Sequence, residues 1–223
     1  MSKLLKKGNE AAEEELATSK IQQFINTSPN DLYLYVLSTL EGGEKHSEIT
    51  RKWRALIAKW LTLGGNPNKY FLLHDAVEAR DKNMIRLLLA FKQTKVDFAN
   101  KWEETPLDLA LLEELSEHFN SNIEIIEMLL ANDANVNAID KNKNTPLHKL
   151  CYKIARYNTE SGVLCSLYLG ELLQAYINLA KRLIAAEASV DCPNKDGETP
   201  LDIAKWVGSF YDALKPYSKT VVK

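Results

Sequence analysis

Asp140-Lys-Asn-Lys-Asn-Thr-Pro-Leu-His148 decides the fold of this 223-residue chain, because it predicts a turn followed directly by the start of a helix. The Thr145 hydroxyl can accept a hydrogen bond from a free N–H of the first helical turn. Pro146, at the first helical position, lacks an N–H that would have no partner there. The same pair recurs at Thr105-Pro106 and Thr199-Pro200, which indicates a repeated structural unit rather than one catalytic motif.

Composition and charge narrow the classes of function open to the chain. Its residues are 45% hydrophobic and 26% charged, which is typical of a folded domain or an array of packed repeats. The 28 basic and 30 acidic residues leave a formal charge of -2, so no overall field draws the chain to nucleic acid or to an anionic membrane. We therefore expect a local surface to select the partner.

Neither a secretory leader nor a membrane span is predicted. Met1–Glu15 runs from basic to acidic side chains without a long apolar segment. The most apolar stretch, Val163–Ala180, is interrupted by polar side chains and falls short of the roughly 20 apolar residues that a membrane span needs. Cys151, Cys165 and Cys192 lack metal-ligand spacing and fit reduced thiols, so we expect a cytoplasmic protein.

A second recurring pattern follows the predicted helices. The apolar spacing of Ile49–Leu63 predicts an amphipathic helix, which ends at Gly64-Gly65-Asn66-Pro67-Asn68. Similar endings recur at Met128–Asn137 and Leu183–Asp191. Together with Thr-Pro-Leu-His at 145–148, they resemble the ankyrin repeat, whose second helix ends in two leucines, a glycine and an Ala-Asp-Val-Asn-like turn.

The resemblance implies an all-α ankyrin-repeat solenoid of about five helix-turn-helix units, with capping helices at both ends. The predicted order is a capping helix at 1–30, a divergent repeat at 31–65, a repeat at 66–98, a repeat with a short insertion at 99–138, a repeat with a long insertion at 139–192, and a capping repeat with a tail at 193–223. Glu10–Ile25 would cover one end and Trp206–Tyr217 the other.

The spacing of the helix starts tests this order, because an ankyrin unit is about 33 residues long. Phe71, which opens the first clear repeat, lies 34 residues before Thr105. The next intervals, to Thr145 and to Thr199, are 40 and 54 residues, so two repeats carry insertions. The expected places are Leu112–Asn122 for the smaller insertion and, for the larger, a loop at Asn158–Gly162 followed by one long helix from Val163 to Ala185.

The titratable residues of the helix-start motif are interpreted as structural. His74 and His148 take its fourth place, where the family uses histidine to tie neighbouring turns by hydrogen bonds. Asp108 and Asp202 take the same place in other repeats, where a carboxylate gains from the helix dipole. His148 and Cys151 have an i, i+3 spacing, but no further ligands lie nearby, so no metal site is predicted. No glycine-rich phosphate loop occurs in the sequence, and no cofactor is predicted.

Catalysis by a Cys-His pair is the alternative that the sequence leaves open. A hydrolase or transferase would use Cys151 or Cys165, in the third repeat and its insertion, with His118 or His148 as the base. The sequence around neither cysteine resembles a protease or transferase signature. Cys151 falls in a helix that the repeat would bury, which favours a small core residue. We therefore expect a protein that is not an enzyme.

Surface recognition is the function that remains. In the family, partners meet the turn tips and the exposed side of the first helices, which line a concave face. The residues predicted on the tips are Asn68, Tyr70, Lys101, Trp102, Glu104, Lys141, Asn142, Asn144, Lys195 and Asp196. Those predicted on the helix side are Glu78, Leu112, Glu113, Tyr152, Lys153 and Trp206. Trp102 either anchors a partner or packs on an adjacent turn.

The sequence thus predicts a scaffold that docks another protein through its concave face and turn tips. We expect a monomer that does not bind nucleic acid. Divergent repeats with long insertions also resemble those of ankyrin effectors that intracellular bacteria deliver into host cells, which would place the chain in a host cytosol.

Overall fold

The computed structural model describes residues 54–219 without 56, 63, 70, 113–114 and 161–165, and without the side chains of 115–121, 157–160 and 166–169. The capping helix predicted at 1–30 and most of the repeat predicted at 31–65 lie outside the described residues. The remainder falls into two compact units. The first unit holds the residues up to Leu72 together with Ala90–Thr94, and the second holds Leu73–Leu89 together with the residues from Lys95 onwards.

In the first unit, residues 57–62 are helical and lead into a glycine-containing turn. Gly64 has φ of +93°, a left-handed conformation that favours glycine. A side chain at Gly65 would collide with the ring of Trp60. The two adjacent glycines therefore have different roles, one in backbone conformation and one in packing.

The described residues form helices and no strand, which confirms the all-α prediction. In chain order the helices are α1 (Leu72–Glu78), α2 (Lys82–Leu89), α3 (Pro106–Leu112), α4 (Leu115–Leu130), α5 (Pro146–Glu160), α6 (Ser166–Ala185), α7 (Pro200–Ala204) and α8 (Gly208–Leu214), followed by a 3-10 turn at Lys215–Tyr217. Each odd-numbered helix and the helix after it form one pair.

Within the second unit, the first helix of one pair packs against the first helix of the next. α5 contacts both α3 and α7. Each of these first helices also contacts the second helix of its own pair: α3 contacts α4, α5 contacts α6, and α7 contacts α8. Contacts of α2 with α4 and of α6 with α8 join the second helices. The buried apolar side chains include Leu107, Ala110, Ile126, Leu129, Leu147, Leu179, Leu183, Leu201 and Ala204, whereas Leu130 is half-buried.

The insertions lengthen helices, so the loop predicted at Asn158–Gly162 is wrong for residues 158–160. α5 has 15 residues and continues through Glu160, whereas the first helices α3 and α7 have 7 and 5. The second helices α6 and α4 have 20 and 16 residues, against 8 in α2. Residues 158–160 include neither proline nor glycine, and extending an existing helix is easier than nucleating a new one. Residues 163–165 of the predicted long helix lie outside the described residues.

Three turns share one hydrogen-bonded plan, and we call them the first, second and third turn tips: Asn100–Glu104, Asp140–Asn144 and Asn194–Glu198. In each tip, the side chain of the first residue accepts hydrogen bonds from the backbone N–H groups of the third and fifth residues, at 2.8 to 3.0 Å. The N–H of the first residue also donates to the carbonyl of the fifth. The fourth residue has a positive φ, between +59° and +79°. Each tip is therefore closed by its own hydrogen bonds.

A second set of hydrogen bonds links the turns that follow the second helices. The Asp97 carboxylate accepts from the Asn135 N–H at 2.8 Å, and the Asn137 side-chain oxygen accepts from the Ser189 N–H at 2.9 Å. Each repeat thus supplies an acceptor for the backbone of the following repeat.

Asp191 takes the corresponding place after α6. Its carboxylate accepts from the Ser218 hydroxyl at 2.6 Å and from the Lys219 N–H at 2.8 Å. The residues after the 3-10 turn therefore occupy the acceptor that a following repeat would use.

Candidate interaction surface

Threonine and histidine cap the start of α5. The Thr145 hydroxyl and N–H lie 2.8 and 3.1 Å from Nδ1 of His148, and the His148 N–H donates to the Thr145 hydroxyl at 3.4 Å. Because Nδ1 accepts from an N–H, the ring proton lies on Nε2, which donates to the Glu198 carbonyl at 3.1 Å. Nε2 of His74 lies 3.1 Å from the Glu104 carbonyl oxygen. Each histidine thus ties its helix to the following turn tip, as the resemblance implies.

Aspartate replaces this histidine at the starts of α3 and α7. The Thr105 N–H and hydroxyl donate to Oδ2 of Asp108 at 2.9 and 3.1 Å, and Thr199 forms the same capping box with Asp202. Hydrogen bonds from Lys205 and Thr199 lower the pKa of Asp202 to about 2. A carboxylate has no proton to donate, so Asp108 cannot bond to the carbonyl of the next tip as histidine does.

Lys149 lies beside Asp108, where the hydrogen bond from a histidine to the next turn tip is missing. Its Nζ lies 3.5 Å from Oδ1 of Asp108, 3.4 Å from Oε1 of Glu104 and 3.5 Å from Oδ2 of Asp140. The Lys149 side chain is only 6% exposed, and that of Asp108 is fully buried. Burial raises the pKa of Asp108, and the charge of Lys149 opposes that shift. A buried ionic cluster therefore joins α3 and the first tip to α5 and the second tip. At the first and third tips, a histidine of the preceding first helix makes the corresponding contact.

The catalytic alternative finds no support at Cys151 and His148. Cys151 is 1% exposed, and burial raises the pKa of its thiol far above the usual range. Both ring nitrogens of His148 are engaged, and burial lowers its pKa. Cys165 and the His118 side chain lie outside the described residues, so their pairing stays a prediction. In the part of the chain that the structure describes, no three His, Cys, Asp or Glu side chains are grouped to hold a metal ion.

One exposed position recurs seven residues after Phe71 and after the threonine of each later repeat. It holds Glu78, Leu112, Tyr152 and Trp206, which are all exposed. Leu112, Tyr152 and Trp206 expose 45%, 38% and 69% of their surface, and we call these three the apolar row. An exposed apolar side chain in each of three successive repeats marks a candidate contact surface.

Within the apolar row, Tyr152 lies against the third turn tip. Its hydroxyl donates to Oε2 of Glu198 at 2.7 Å and accepts from Nδ2 of Asn194 at 3.0 Å, and both partners belong to the third tip. Burial and the bond to Glu198 raise the pKa of Tyr152 to about 12. The neighbouring Lys153 is half-buried and donates to the carbonyls of Leu111 and Leu112 at 3.2 and 3.0 Å, so its amino group holds the end of α3.

The tips themselves expose lysines and one tryptophan. Lys101, Lys141 and Lys195 hold the second position of the three tips, are exposed, and are called the lysine row below. Trp102 is 55% exposed, and Nζ of Lys101 lies 4.0 Å from the centre of its ring. An open depression of about 490 Å³ is lined by Trp102, Glu104, Asp140, Lys141 and Asn142. The exposure of Trp102 favours its interpretation as an anchor.

The other predicted contact residues are less uniformly placed. Asn142 and Asp196 are exposed on their tips, and Glu104 and Asn144 are half-buried. Asn68 lies in the first unit, where its amide donates to the Gln93 carbonyl at 2.7 Å. Tyr70 and Glu113 lie outside the described residues.

Comparison with known proteins identifies the repeated unit. A family model of three ankyrin-repeat copies matches residues 52–140. Residues 52–140 match ankyrin repeats. The helix pairs after Asp140 lie beyond that match, and each follows a turn tip with a threonine cap of the same kind.

Among solved structures, the ankyrin repeat domain of Bcl-3, a unique member of the IκB protein family, is similar to this chain at 23% identity with a TM-score of 0.46. The match covers 64% of this chain and 50% of that chain, so this chain spans about half of its length. No curated protein matches the sequence. Among the described residues, no helix has the length and apolarity to cross a bilayer.

Sequence reasoning missed two kinds of residue in the ankyrin repeats. One kind is the first residue of each tip, which closes the turn: Asn100, Asp140 and Asn194. The sequence pattern that could have predicted this role is an Asn or Asp five residues before each Thr-Pro pair. Lys149 is buried, and its only signal was the carboxylate at Asp108 in the preceding repeat.

Asp75, in α1, is expected to make stability depend on pH. Among the described residues its Oδ2 has no hydrogen-bond partner, and burial, together with the charge of Glu78, raises its pKa from 3.8 to about 7. Between those values the folded chain keeps a proton that the unfolded chain loses, so ionisation of Asp75 lowers stability as the pH rises. Because Asp75 is partly exposed, we expect Asp75→Asn to stabilise the protein by about 1 to 2 kcal/mol at about pH 8.

The advantage of Asp75→Asn should disappear near pH 4, where the wild-type carboxyl is protonated in the folded chain. Guanidinium unfolding of both proteins at the two pH values measures the difference. A stability difference of the same size at both pH values would contradict the assignment to Asp75.

Proposed function

We propose that the protein docks another protein through the turn tips and the exposed side of its first helices. Ankyrin repeats imply a role in protein-protein interaction. The observation that carries the proposal is the apolar row, in which Leu112, Tyr152 and Trp206 are exposed at one position of three successive repeats. Tyrosine and tryptophan are enriched among the residues that contribute most to binding at protein interfaces.

The tips favour binding because they are ordered by their own hydrogen bonds. The side chains of Asn100, Asp140 and Asn194 each hold two backbone N–H groups of their tip. A surface that is ordered before binding loses less conformational entropy when a partner docks. Trp102 adds a large apolar side chain on the first tip, next to an open depression that a partner can enter.

We expect the double variant Trp102→Ala and Trp206→Ala to capture at least about tenfold less partner from a cell lysate, since each large exposed anchor contributes on the order of 1 kcal/mol or more. Its thermal unfolding should change little, because both rings are largely exposed. Quantitative mass spectrometry of captured proteins and a thermal melt measure the two effects.

Tyr217→Ala provides the matched control, because Tyr217 is a 45% exposed aromatic residue on the 3-10 turn, outside both the tips and the apolar row. This variant should capture the same proteins as the wild type. Equal capture by the double variant and the control would remove this surface from the proposal.

We also propose that docking takes place in a reducing compartment, as cysteine usage predicts. The thiols of Cys151 and Cys192 are free, which supports this location. Delivery into a host cell stays a prediction of the sequence.

A further inference from the structure

The exposed charges of the three turn tips are predominantly positive. Four exposed lysines, Lys101, Lys141, Lys143 and Lys195, stand against two exposed carboxylates, Glu103 and Asp196. Counted with the half-buried Glu104, Asp140 and Glu198, the three tips hold four basic and five acidic residues, so the positive excess is one of their exposed side chains. Such a local excess selects partners of opposite charge.

The half-buried carboxylates of the tips are already engaged. Glu104 and Asp140 contact Lys149 at 3.4 and 3.5 Å, and Glu198 accepts the hydroxyl of Tyr152 at 2.7 Å. In contrast, the lysine row forms no ion pair among the described residues, although Lys101 lies over the ring of Trp102. Most of the exposed charges that remain available to a partner are therefore positive, with Glu103 and Asp196 as the exceptions.

The lysine row and the apolar row meet at the third tip. Tyr152 belongs to the apolar row and bonds to two side chains of the third tip, whose second residue is Lys195. A partner that spans several repeats would therefore meet lysines along one edge and apolar side chains along the other. Nucleic acid could satisfy the lysines but would leave Leu112 and Trp206 without an apolar partner.

We propose that the docked segment of the partner protein is acidic and amphipathic, with carboxylates facing the lysine row and apolar side chains facing the apolar row. This inference rests on the proposed function and names the chemistry of the partner.

The repeat spacing sets the pattern of the segment. Packed helices lie about 8 to 10 Å apart, so equivalent lysines recur at about that distance. An extended chain advances about 3.3 Å per residue, which places a carboxylate at about every third position. A helix advances about 1.5 Å per residue, which places one at about every seventh position.

Two fluorescein-labelled peptides test the proposal against the full chain by fluorescence anisotropy. Both carry leucine and phenylalanine between glutamates, one with glutamate at every third position and one at every seventh. A matched pair has lysine in place of every glutamate. We expect at least one glutamate peptide to bind, with an affinity that falls as salt is added, and the lysine peptides to bind at least about tenfold more weakly.

The triple variant Lys101→Glu, Lys141→Glu and Lys195→Glu should weaken the glutamate peptide by about tenfold or more, because three attractive contacts become repulsive. The matched control reverses three exposed lysines outside the tips, Lys59, Lys92 and Lys181, and should change binding by less than about twofold. Circular dichroism of both variants shows whether their helices are intact.

Three results would overturn the inference. One is equal or tighter binding of the lysine peptides, and another is equal binding of polyglutamate or single-stranded DNA, which would show that charge alone suffices. The third is the absence of binding by every peptide. If lysate capture still depends on Trp102 and Trp206 in that case, the docking function stands and only the acidic partner is wrong.

Discussion

Replacing Lys149 by methionine is expected to lower the free energy of unfolding by about 3 to 5 kcal/mol, the usual cost of removing one partner from a buried ionic cluster. Methionine keeps the length of the side chain, so most of the packing remains. Asp108, which is fully buried, would lose the ammonium group 3.5 Å from its Oδ1. That oxygen has no hydrogen-bond partner among the described residues, so only the two bonds from Thr105 to Oδ2 would still stabilise the carboxylate charge.

A second substitution separates the charge of Lys149 from its packing. His74 and His148 show that a histidine at this place can bond to the carbonyl before the next threonine. In Lys149→Met with Asp108→His, the new imidazole can donate to the Asn144 carbonyl, and the buried carboxylate is gone. We expect the double variant to recover at least about half of the lost stability, because the uncompensated charge has been removed.

Urea unfolding of the single variant, the double variant and the wild type measures this recovery. Lys143→Met is the matched control, because Lys143 is an exposed lysine on the second tip, and its replacement should change stability by less than about 0.5 kcal/mol. If the double variant is as unstable as Lys149→Met, the loss does not arise from the charge at Asp108.

His148→Ala is expected to cost about 3 kcal/mol, because it combines a cavity with the loss of hydrogen bonds at both ring nitrogens. The ring is fully buried between Thr145 and the Glu198 carbonyl. Its loss opens the contact between α5 and the third turn tip. Chemical denaturation near pH 8 measures the cost, with Asp196→Ala on the same tip as the exposed control.

The same substitution should change the pH dependence of folding. Burial lowers the pKa of His148 below 6.5, so the unfolded chain binds a proton that the folded chain does not. The stability from neutral His148 is present above that pH and declines as the pH falls toward the folded pKa. The difference between wild type and His148→Ala should therefore be smaller near pH 5 than near pH 8. A cost below about 1 kcal/mol at pH 8 would contradict a structural role for the ring.

The sequence predicted the helix starts because their causes are local. Thr145, Pro146 and His148 lie within one turn of helix, and their spacing alone determines the cap. The apolar row was predicted on the helix side by matching Leu112, Tyr152 and Trp206 to one position of the repeat. All three side chains are exposed, and their role in binding stays a prediction.

Other features depend on residues far apart in the chain. Lys149 contacts Glu104 and Asp108, which belong to the preceding repeat. The residues next to Lys149 in the sequence therefore gave no sign that its side chain is buried. The loop predicted at Asn158–Gly162 was wrong for residues 158–160. The prediction assigned the additional residues of this repeat to a loop, whereas they extend α5. Polar residues such as Asn158 and Thr159 have only a weak preference against helix, and the existing α5 extends through them.

Asp191 has a consequence for self-association. In a stack of identical modules, an acceptor left open at the last module would invite the first module of another copy, and such head-to-tail contacts grow into filaments. Here the acceptor is occupied by Ser218 and Lys219, at 2.6 and 2.8 Å. A second molecule could bond to Asp191 only by displacing both hydrogen bonds, so these contacts disfavour head-to-tail association at this carboxylate.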